Sequence, residues 1–596
     1  MGLLQKAVET YDCNRKYIGE YREGHTVLSP ISHIVTRADL EIIIDAEGNF
    51  CAASAVDKSA PKIIIPVTEE SVARGNKPCA HPLCDQLSYL APYNSEKHAL
   101  YLEQLTKWAT SEYSHPKLQP ILNYILKGTI LSDLEQCDLI QLNGKGIPQN
   151  EKLMVRWRVL GTGDKDACWQ DTTLIDSFIG FYKTIHQDDE QGLCMISGEI
   201  TQKSQKYPGR IIPTSANAKL ISANDDKGFT YLGRFTQESQ AVEIGYEASQ
   251  KAHNALRWLA AEQGSQVVFG GRTFLCWNPQ GRKVCHVTGA FRKVKKEVTE
   301  PTEYQRELQQ TLKGYRSELP EKEGVVIAAF DAATKGRLAL TYYNELLSSD
   351  FLQRLYEWDC YCCWPTRGFG IQSPGLWKIV NSAFGTPQGD KNSMMLKTDD
   401  RVMRQQMQRL ISCRIDGAAM PVDIVRGLCE RTSRLQIYPK NLRENLLTTA
   451  CAVIRKYRYD TFKEEWEMTL EANKTDRSYQ FGRLLAVLEK VERDTYDKDE
   501  GRETNAIRQQ SVFCQRPLYA AGNIQKQLER AYFPRLKPAS RYFYKNLIGQ
   551  IMEQINEFPQ EQWNRPLTET YLMGYYLQRN ALYTKHSNDM EEQEDE

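Results

Sequence analysis

A twenty-residue stretch, SVARGNKPCAHPLCDQLSYL at Ser71–Leu90, holds a dense mixture of groups able to do chemistry. Arg74, Asn76, Lys77 and Gln86 are the side-chain types that grip phosphates and read base edges. Its glycine permits close backbone approach, and its prolines stiffen the path. Lys58 and Lys62 precede it and add positive charge. A loop this long is uncommon as mere connection, and long loops often carry function. The same side chains also suit an ordinary solvated loop.

A second cationic set falls in helical sequence: Arg404, Arg409, Arg414, Arg443, Arg455, Lys456 and Arg458, then Arg535, Lys537, Arg541 and Lys545. Taken singly, each is expected on the wet face of a helix. Taken as a stripe, they suit a DNA backbone. Tyr542, Phe543 and Tyr544 lie among the last of them, where core packing is expected over stacking on unpaired bases.

Catalytic and metal signatures are weaker. Cys79, His81 and Cys84 lie in PCAHPLC, and Cys360, Cys362 and Cys363 in DCYCCWP. Zinc takes four ligands, usually from close pairs such as C-x2-C, and neither cluster has that spacing. Free thiols are the expected reading. No phosphate-binding G-x-x-x-x-G-K-[ST], H-E-x-x-H or G-x-S-x-G occurs, and Gly161-Thr162-Gly163 reads as a turn. Asp331, Glu243 and Glu247 are conceivable nuclease carboxylates. Glu243 and Glu247, however, stand four apart on an expected helix with no histidine partner, which is the habit of a solvated face. No catalytic residue, cofactor or metal is expected. A stand-alone metal-dependent nuclease and a purely structural scaffold are the alternatives.

The elements that position these groups are legible from periodicity. Ala248, Ala252, Ala255, Leu256 and Leu259 predict a helix over Glu247–Glu262, stopped at Gly264. Val267–Phe269 and Thr273–Trp277 predict a hairpin turning at Gly270-Gly271. Leu40–Ile44 and Phe50–Val56 predict another hairpin around DAEGN, and Lys62–Val67 a further strand. His98–Trp108 reads as a helix. Val155, Trp157 and Val159 alternate with Arg156 and Arg158, which predicts a strand with one apolar face. Val325–Phe330 and Arg337–Tyr343 predict a strand pair.

From about Thr398 the pattern turns helical. Met403, Met407, Leu410 and Ile411 form one apolar stripe, and Leu442, Leu446, Ala450, Val453 and Tyr457 a second. Phe481, Leu484, Leu485, Leu488 and Val491 form a third, and Leu547, Ile548, Ile551, Ile555 and Phe558 a fourth. Such spacing predicts amphipathic helices packed as a bundle. The fold class is therefore α+β. Mixed strand and helix over 1–130 and 131–395 lead into a helical bundle over 396–588, and an acidic tail over 589–596 is expected to be disordered.

With 596 residues, two to four domains are expected. Lys plus Arg and Asp plus Glu both number 76, so the formal charge is zero. That balance disfavours a free-standing non-specific DNA binder and fits a subunit that meets nucleic acid within an assembly. Sixteen scattered cysteines show no paired framework. No secretory signal and no 18-residue apolar run is seen, so a cytosolic, reduced protein is expected.

Several long phrases resemble the large subunit of the type I-C CRISPR surveillance complex (Cascade). They are LMVRWRVLG at Leu153–Gly161, GFTYLGRF at Gly228–Phe235 and GYEASQKAHNALRWLAAEQGSQVVFGGRTFLCWNP at Gly245–Pro279. AAFDAATKGRLALTYYNEL at Ala328–Leu346, NKTDRSYQFGRLLAVLEKVE at Asn473–Glu492 and LMGYYLQRNALY at Leu572–Tyr583 follow in the same order. The resemblance implies a non-nuclease subunit that joins a guide RNA held by backbone and guide-end subunits. It implies that the amino-terminal part reads a short protospacer-adjacent motif on double-stranded DNA. The helical part would help hold the displaced strand, and a separate helicase–nuclease would be recruited to cut. It also implies small subunits made from an internal start, for which Met468 stands at the head of a helical run. None of these roles is tied by signature to particular residues, so Arg74, Asn76, Lys77, Gln86, Lys58 and Lys62 rest on chemistry and loop position.

Overall fold

In the computed structural model the described residues are 2–594, except 73, 75–76, 188, 216–217, 222–234, 237–241, 263, 292–296, 335, 391–392 and 498–500. The side chains of 333, 441 and 584–594 are likewise not described. The chain forms two compact units. One comprises Met1–Val284 and Glu323–Leu346, the other Cys285–Lys322 and Leu347–Glu596. The mixed α+β class holds, with small sheets in the first part and helices dominating the end.

The first unit begins from the predicted alternation. Val155, Trp157 and Val159 are fully buried along the strand Val155–Val159, and the intervening arginines are half-exposed. This strand pairs in parallel with Leu40–Ile44, which also forms the expected hairpin with Phe50–Ala55. A core runs from Leu40 to Tyr246 and includes Tyr101, Leu105, Trp108 and Phe178, so residues on both sides of the expected boundary at 130 share it. Glu41 joins the strands laterally, receiving Arg156 Nε at 2.6 Å and Arg158 Nε at 3.0 Å.

The second layer is an antiparallel meander, in order Arg337–Leu347, Gly324–Thr334, Arg272–Trp277 and Gln266–Phe269. Phe269 pairs directly with Arg272, and Gly270 and Gly271 adopt φ of 50° and 81°. Both central residues of the turn thus require the left-handed region, which glycine enters freely. The helix Tyr246–Ala261 packs on this sheet through Ala252, Ala255, Leu256 and Leu259. Glu243 precedes that helix, so it does not share a helical face with Glu247 as expected.

The second unit is mainly helical. Met403, Met407, Leu410 and Ile411 are buried along Asp400–Ile415, as their stripe predicts. The third stripe is different. Every residue from Ser478 to Glu492 in the helix Arg477–Arg493 is buried, so the helix is enclosed on all sides rather than amphipathic. Its polar residues are satisfied inside: Arg483 Nε donates to Gln578 Oε1 at 3.0 Å, and Glu489 receives the Tyr575 hydroxyl at 2.5 Å. The fourth stripe is partial, with Ile551 and Ile555 buried and Leu547 and Ile548 half-buried. The final helix is Tyr571–Glu594.

Candidate nucleic-acid interface

The stretch Ser71–Leu90, expected as a loop throughout, begins in the helix Glu69–Val72 and ends in the helix Leu87–Leu90, and the loop between them is organised by one buried acid. Asp85, with no side-chain exposure, sits in a salt bridge to Arg74 Nη2 at 2.8 Å, and Arg74 Nη1 adds a second contact at 2.9 Å. The backbone N–H groups of His81 and Gln86 donate to the same carboxylate at 2.7 Å each. Arg74 Nη1 also donates to the Cys79 carbonyl at 3.1 Å, and its guanidinium lies over the Tyr89 ring. Such a bidentate pair fixes geometry as well as charge. Arg74 is therefore the clasp of the loop, not a free reader of bases. His81 is buried, and its Nδ1 lies 2.9 Å from Ser71 Oγ. Burial pushes it down to about 4, Arg74 and Arg210 add to that, and Asp85 opposes it.

The loop borders a cleft of about 910 Å³ within the first unit. Arg37, Lys62, Arg74, Lys97, Lys152, Arg210 and Arg257 line it, and no described lining residue is Asp or Glu. Only Arg74 among these cations makes an ion pair with a described residue. Their placement follows from pairing. The strands His33–Thr36 and Ile63–Pro66 are antiparallel with Thr36 opposite Ile63, which sets Arg37 and Lys62 side by side. Gln86 bridges to Met154 and Leu87 N donates to the Leu153 carbonyl, which brings Lys152 to the same wall. The helix Tyr246–Ala261 contributes Asn254 and Arg257.

Of the loop candidates, Arg74, Gln86 and Lys62 thus meet on one cleft. Lys77 is exposed outside its lining, and Lys58 is exposed on a turn at Asp57–Ala60. Asn76 lies outside the described residues. Sequence reasoning missed Arg37, Lys97, Lys152, Arg210 and Arg257, each a lone cation in its own segment. The run Lys293, Lys295 and Lys296 lies outside the described residues.

The helical cations divide. Arg414 is fully buried, with Nη1 on the Val287 and Gly289 carbonyls and Nη2 3.3 Å from Asp359. Arg455 is buried on the Trp466 and Cys360 carbonyls, and Lys456 is paired with Asp460. Arg409 clasps Asp423, Arg443 meets Glu503, and Arg458 meets Glu464 and Glu569. Arg404 is half-buried. Within the stripe expected over Arg404–Arg458, Arg414, Arg455 and Lys456 are thus internal, because helix packing turned these long side chains onto carboxylates and carbonyls, whereas the Arg409–Asp423 pair is 39% and 45% exposed. Arg535, Lys537 and Lys545 are exposed instead, and Arg541 caps the preceding turn through the Phe533 carbonyl. Tyr544 is buried with its hydroxyl on Asp494, whereas Tyr542 and Phe543 are 71% and 42% exposed, against the core packing expected for all three.

The conceivable nuclease carboxylates are dispersed onto cations: Asp331 on Arg272 at 3.0 Å, Glu243 on Lys203 at 3.4 Å, and Glu247 on Lys251 at 2.9 Å. Among the described residues no group of three or more His, Cys, Asp or Glu is arranged to hold a metal ion. Burial raises the thiols of Cys84, Cys360, Cys362 and Cys363, so they stay protonated. No helix among the described residues is long and apolar enough to cross a membrane.

The family model described as CRISPR-associated protein (Cas_Csd1) matches residues 8–583. The chain belongs to the Csd1 family. It is thereby a CRISPR-associated, Cascade-type subunit, the type I-C large subunit. No curated protein matches it. The family match takes in both units, so the cleft of the first and the helices of the second belong to one Csd1 chain.

Proposed function

We propose that this Csd1 chain is a non-catalytic subunit that recognises the motif flanking the target on double-stranded DNA, in the cytoplasm, within a guide-RNA complex. The observation that carries this reading is the cationic cleft bordered by the Ser71–Leu90 stretch, with no Asp or Glu among its described lining residues. A neutral chain that gathers six cations without an ion pair to a described residue, from six segments, onto one cleft concentrates positive potential where its total charge supplies none. Asn76, Lys77 and Gln86 are assigned to base edges, and Lys62 and Lys152 to phosphates. The exposed Arg535, Lys537 and Lys545, with Tyr542 and Phe543, are assigned to the displaced strand. The partners are the guide RNA, its backbone and guide-end subunits, small subunits, and a helicase–nuclease that cuts after binding.

The test is binding of the assembled complex to targets with randomised flanking bases. Changing Asn76 to Ala shifts which flanks are accepted. Changing Lys62 or Lys152 to Ala weakens all targets alike and lowers the salt slope by about 1 each. Flank preference and affinity that ignore all of these changes would reject the reading.

We further propose that a small subunit starts at Met468. The helices Pro517–Gln527, Pro538–Asn556 and Tyr571–Glu594 all pack on Arg477–Arg493, which supports a piece able to fold by itself. Mass spectrometry of the purified complex decides it, and an intact complex lacking any such fragment counts against it.

A further inference from the structure

Arg257 is the cation in the cleft least explained by its surroundings. It is half-buried, and it meets no carboxylate among the described residues. Its Nη2 donates to the Gly209 carbonyl at 2.7 Å and its Nη1 to Asn254 Oδ1 at 3.2 Å. Asn254 is itself fixed, its Nδ2 donating to the Ser29 and Pro30 carbonyls at 3.2 and 2.9 Å. Asn254 is thus a positioning residue that holds the guanidinium with donors to spare, since arginine carries five N–H groups. Arg210 stands next to it, exposed, and held at φ 57°, a left-handed conformation uncommon outside Gly, Asn and Asp. Burial and Arg210 together press the Arg257 guanidinium down to about 10. Two adjacent guanidiniums, one withdrawn from water and neither paired with a described carboxylate, form a site that an anion completes.

The volume limits which anion-bearing group enters. About 910 Å³ lies at the upper end of the roughly 300–1,000 Å³ of small-molecule sites. A single nucleotide fits within that space. We propose that Arg210 and Arg257 form a phosphate subsite for one nucleotide of an unpaired strand, so that this face of the cleft grips a single strand beside the duplex read by the loop. The proposal rests on the nucleic-acid reading above and names the group this part of the cleft takes. A phosphodiester of either DNA or RNA satisfies the chemistry.

The experiment is fluorescence anisotropy with a fluorescein-labelled, unpaired hexanucleotide, as DNA and as RNA, against the full-length chain. Arg257→Gln and Arg210→Glu are each expected to weaken binding at least tenfold and to lower the salt slope, whereas Lys145→Glu, on an exposed turn outside the cleft, leaves it unchanged. The tighter of the DNA and RNA arms identifies which strand supplies the phosphate. Arg210 is exposed and forms no ion pair with described residues, so Arg210→Glu remains decisive if Arg257→Gln fails to fold. Hexanucleotide binding indifferent to Arg210→Glu overturns the proposal. If the same variants keep their flank preference, the motif reading stands or falls separately, on Asn76.

Discussion

Gly482 and Gly574 mark the crossing of the helices Arg477–Arg493 and Tyr571–Glu594. A Cβ built on Gly482 would overlap the Tyr571 carbonyl oxygen, and one on Gly574 the Tyr479 carbonyl oxygen. Each helix thus presents its glycine to the other's backbone, and main chain packs on main chain. The obstacles are backbone atoms, which cannot rotate aside. Elsewhere in a helix, Gly→Ala gains up to about 1 kcal/mol in propensity. Here Gly482→Ala and Gly574→Ala are each expected to destabilise by about 1–3 kcal/mol or more through overpacking. Thermal unfolding of the purified variants checks the sign. A melting temperature equal to or above that of the parent would show that the crossing can open at no cost.

The Arg74–Asp85 clasp makes a different claim testable. A base-reading arginine can be removed without harm to folding. Arg74 is only 17% exposed and its partner not at all, so Arg74→Ala strands a buried carboxylate. Loss of one partner from a buried pair costs about 3–5 kcal/mol. Arg74→Ala and Asp85→Ala should each lower stability by an amount of this order, and the double variant by clearly less than the sum. Strict additivity in denaturant unfolding would mean that the two side chains do not act together.

Glu69 gives the first unit a pH dependence. Its carboxylate receives Ser204 Oγ at 2.5 Å and Gln205 N at 3.0 Å, which ties the helix Glu69–Val72 at the base of the loop to residues 204–205. Burial raises it from 4.5 to about 6, although those hydrogen bonds pull the other way. Between these values the folded state holds more protons than the unfolded one, so stability falls as pH rises from about 4.5 to about 6. At 1.36 kcal/mol per pKa unit the loss is on the order of 2 kcal/mol. Glu69→Gln should flatten the curve across that window, and an unaltered pH profile in the variant would assign the dependence to another group.

Local patterns carried much of the architecture and little of the cleft. The alternation of Val155, Trp157 and Val159 announced a strand with one buried face, and Gly270-Gly271 announced its turn, because both are consequences of a few adjacent residues. The parallel pairing of Val155–Val159 with Leu40–Ile44 was not legible, since register between distant segments leaves no mark on either. The cleft failed for the same reason. Lys97, Lys152, Arg210 and Arg257 look like any solvated cation until the fold places them on one wall without an acid among its described residues. The helical cations divide in a way that spacing does not show. Arginine's long apolar stem lets it enter a core and reach a carbonyl, and nothing in the spacing of Arg414 or Arg455 separates that outcome from a wet face.

That division predicts which arginines and lysines matter for what. Asp359 receives Phe291 N at 2.8 Å, Ser373 Oγ at 3.0 Å and Arg414 Nη2 at 3.3 Å, all in the interior of the second unit. Arg414→Ala leaves that carboxylate without its cation and two carbonyls without their donor, so a loss of about 3–5 kcal/mol is expected, with DNA binding falling only as far as the folded fraction falls. Lys537 is exposed and forms no ion pair with a described residue. Lys537→Ala should leave the melting temperature within about 1 °C, the scale of a surface substitution. It should also weaken binding of a displaced single strand by the assembled complex and reduce its salt slope by about 0.7, the value for one phosphate contact on a single strand. Paired melting curves and salt titrations of the two variants separate the roles. If Arg414→Ala folded normally yet lost strand binding, the arginine would have to reach solvent in the complex, and the internal assignment would fail.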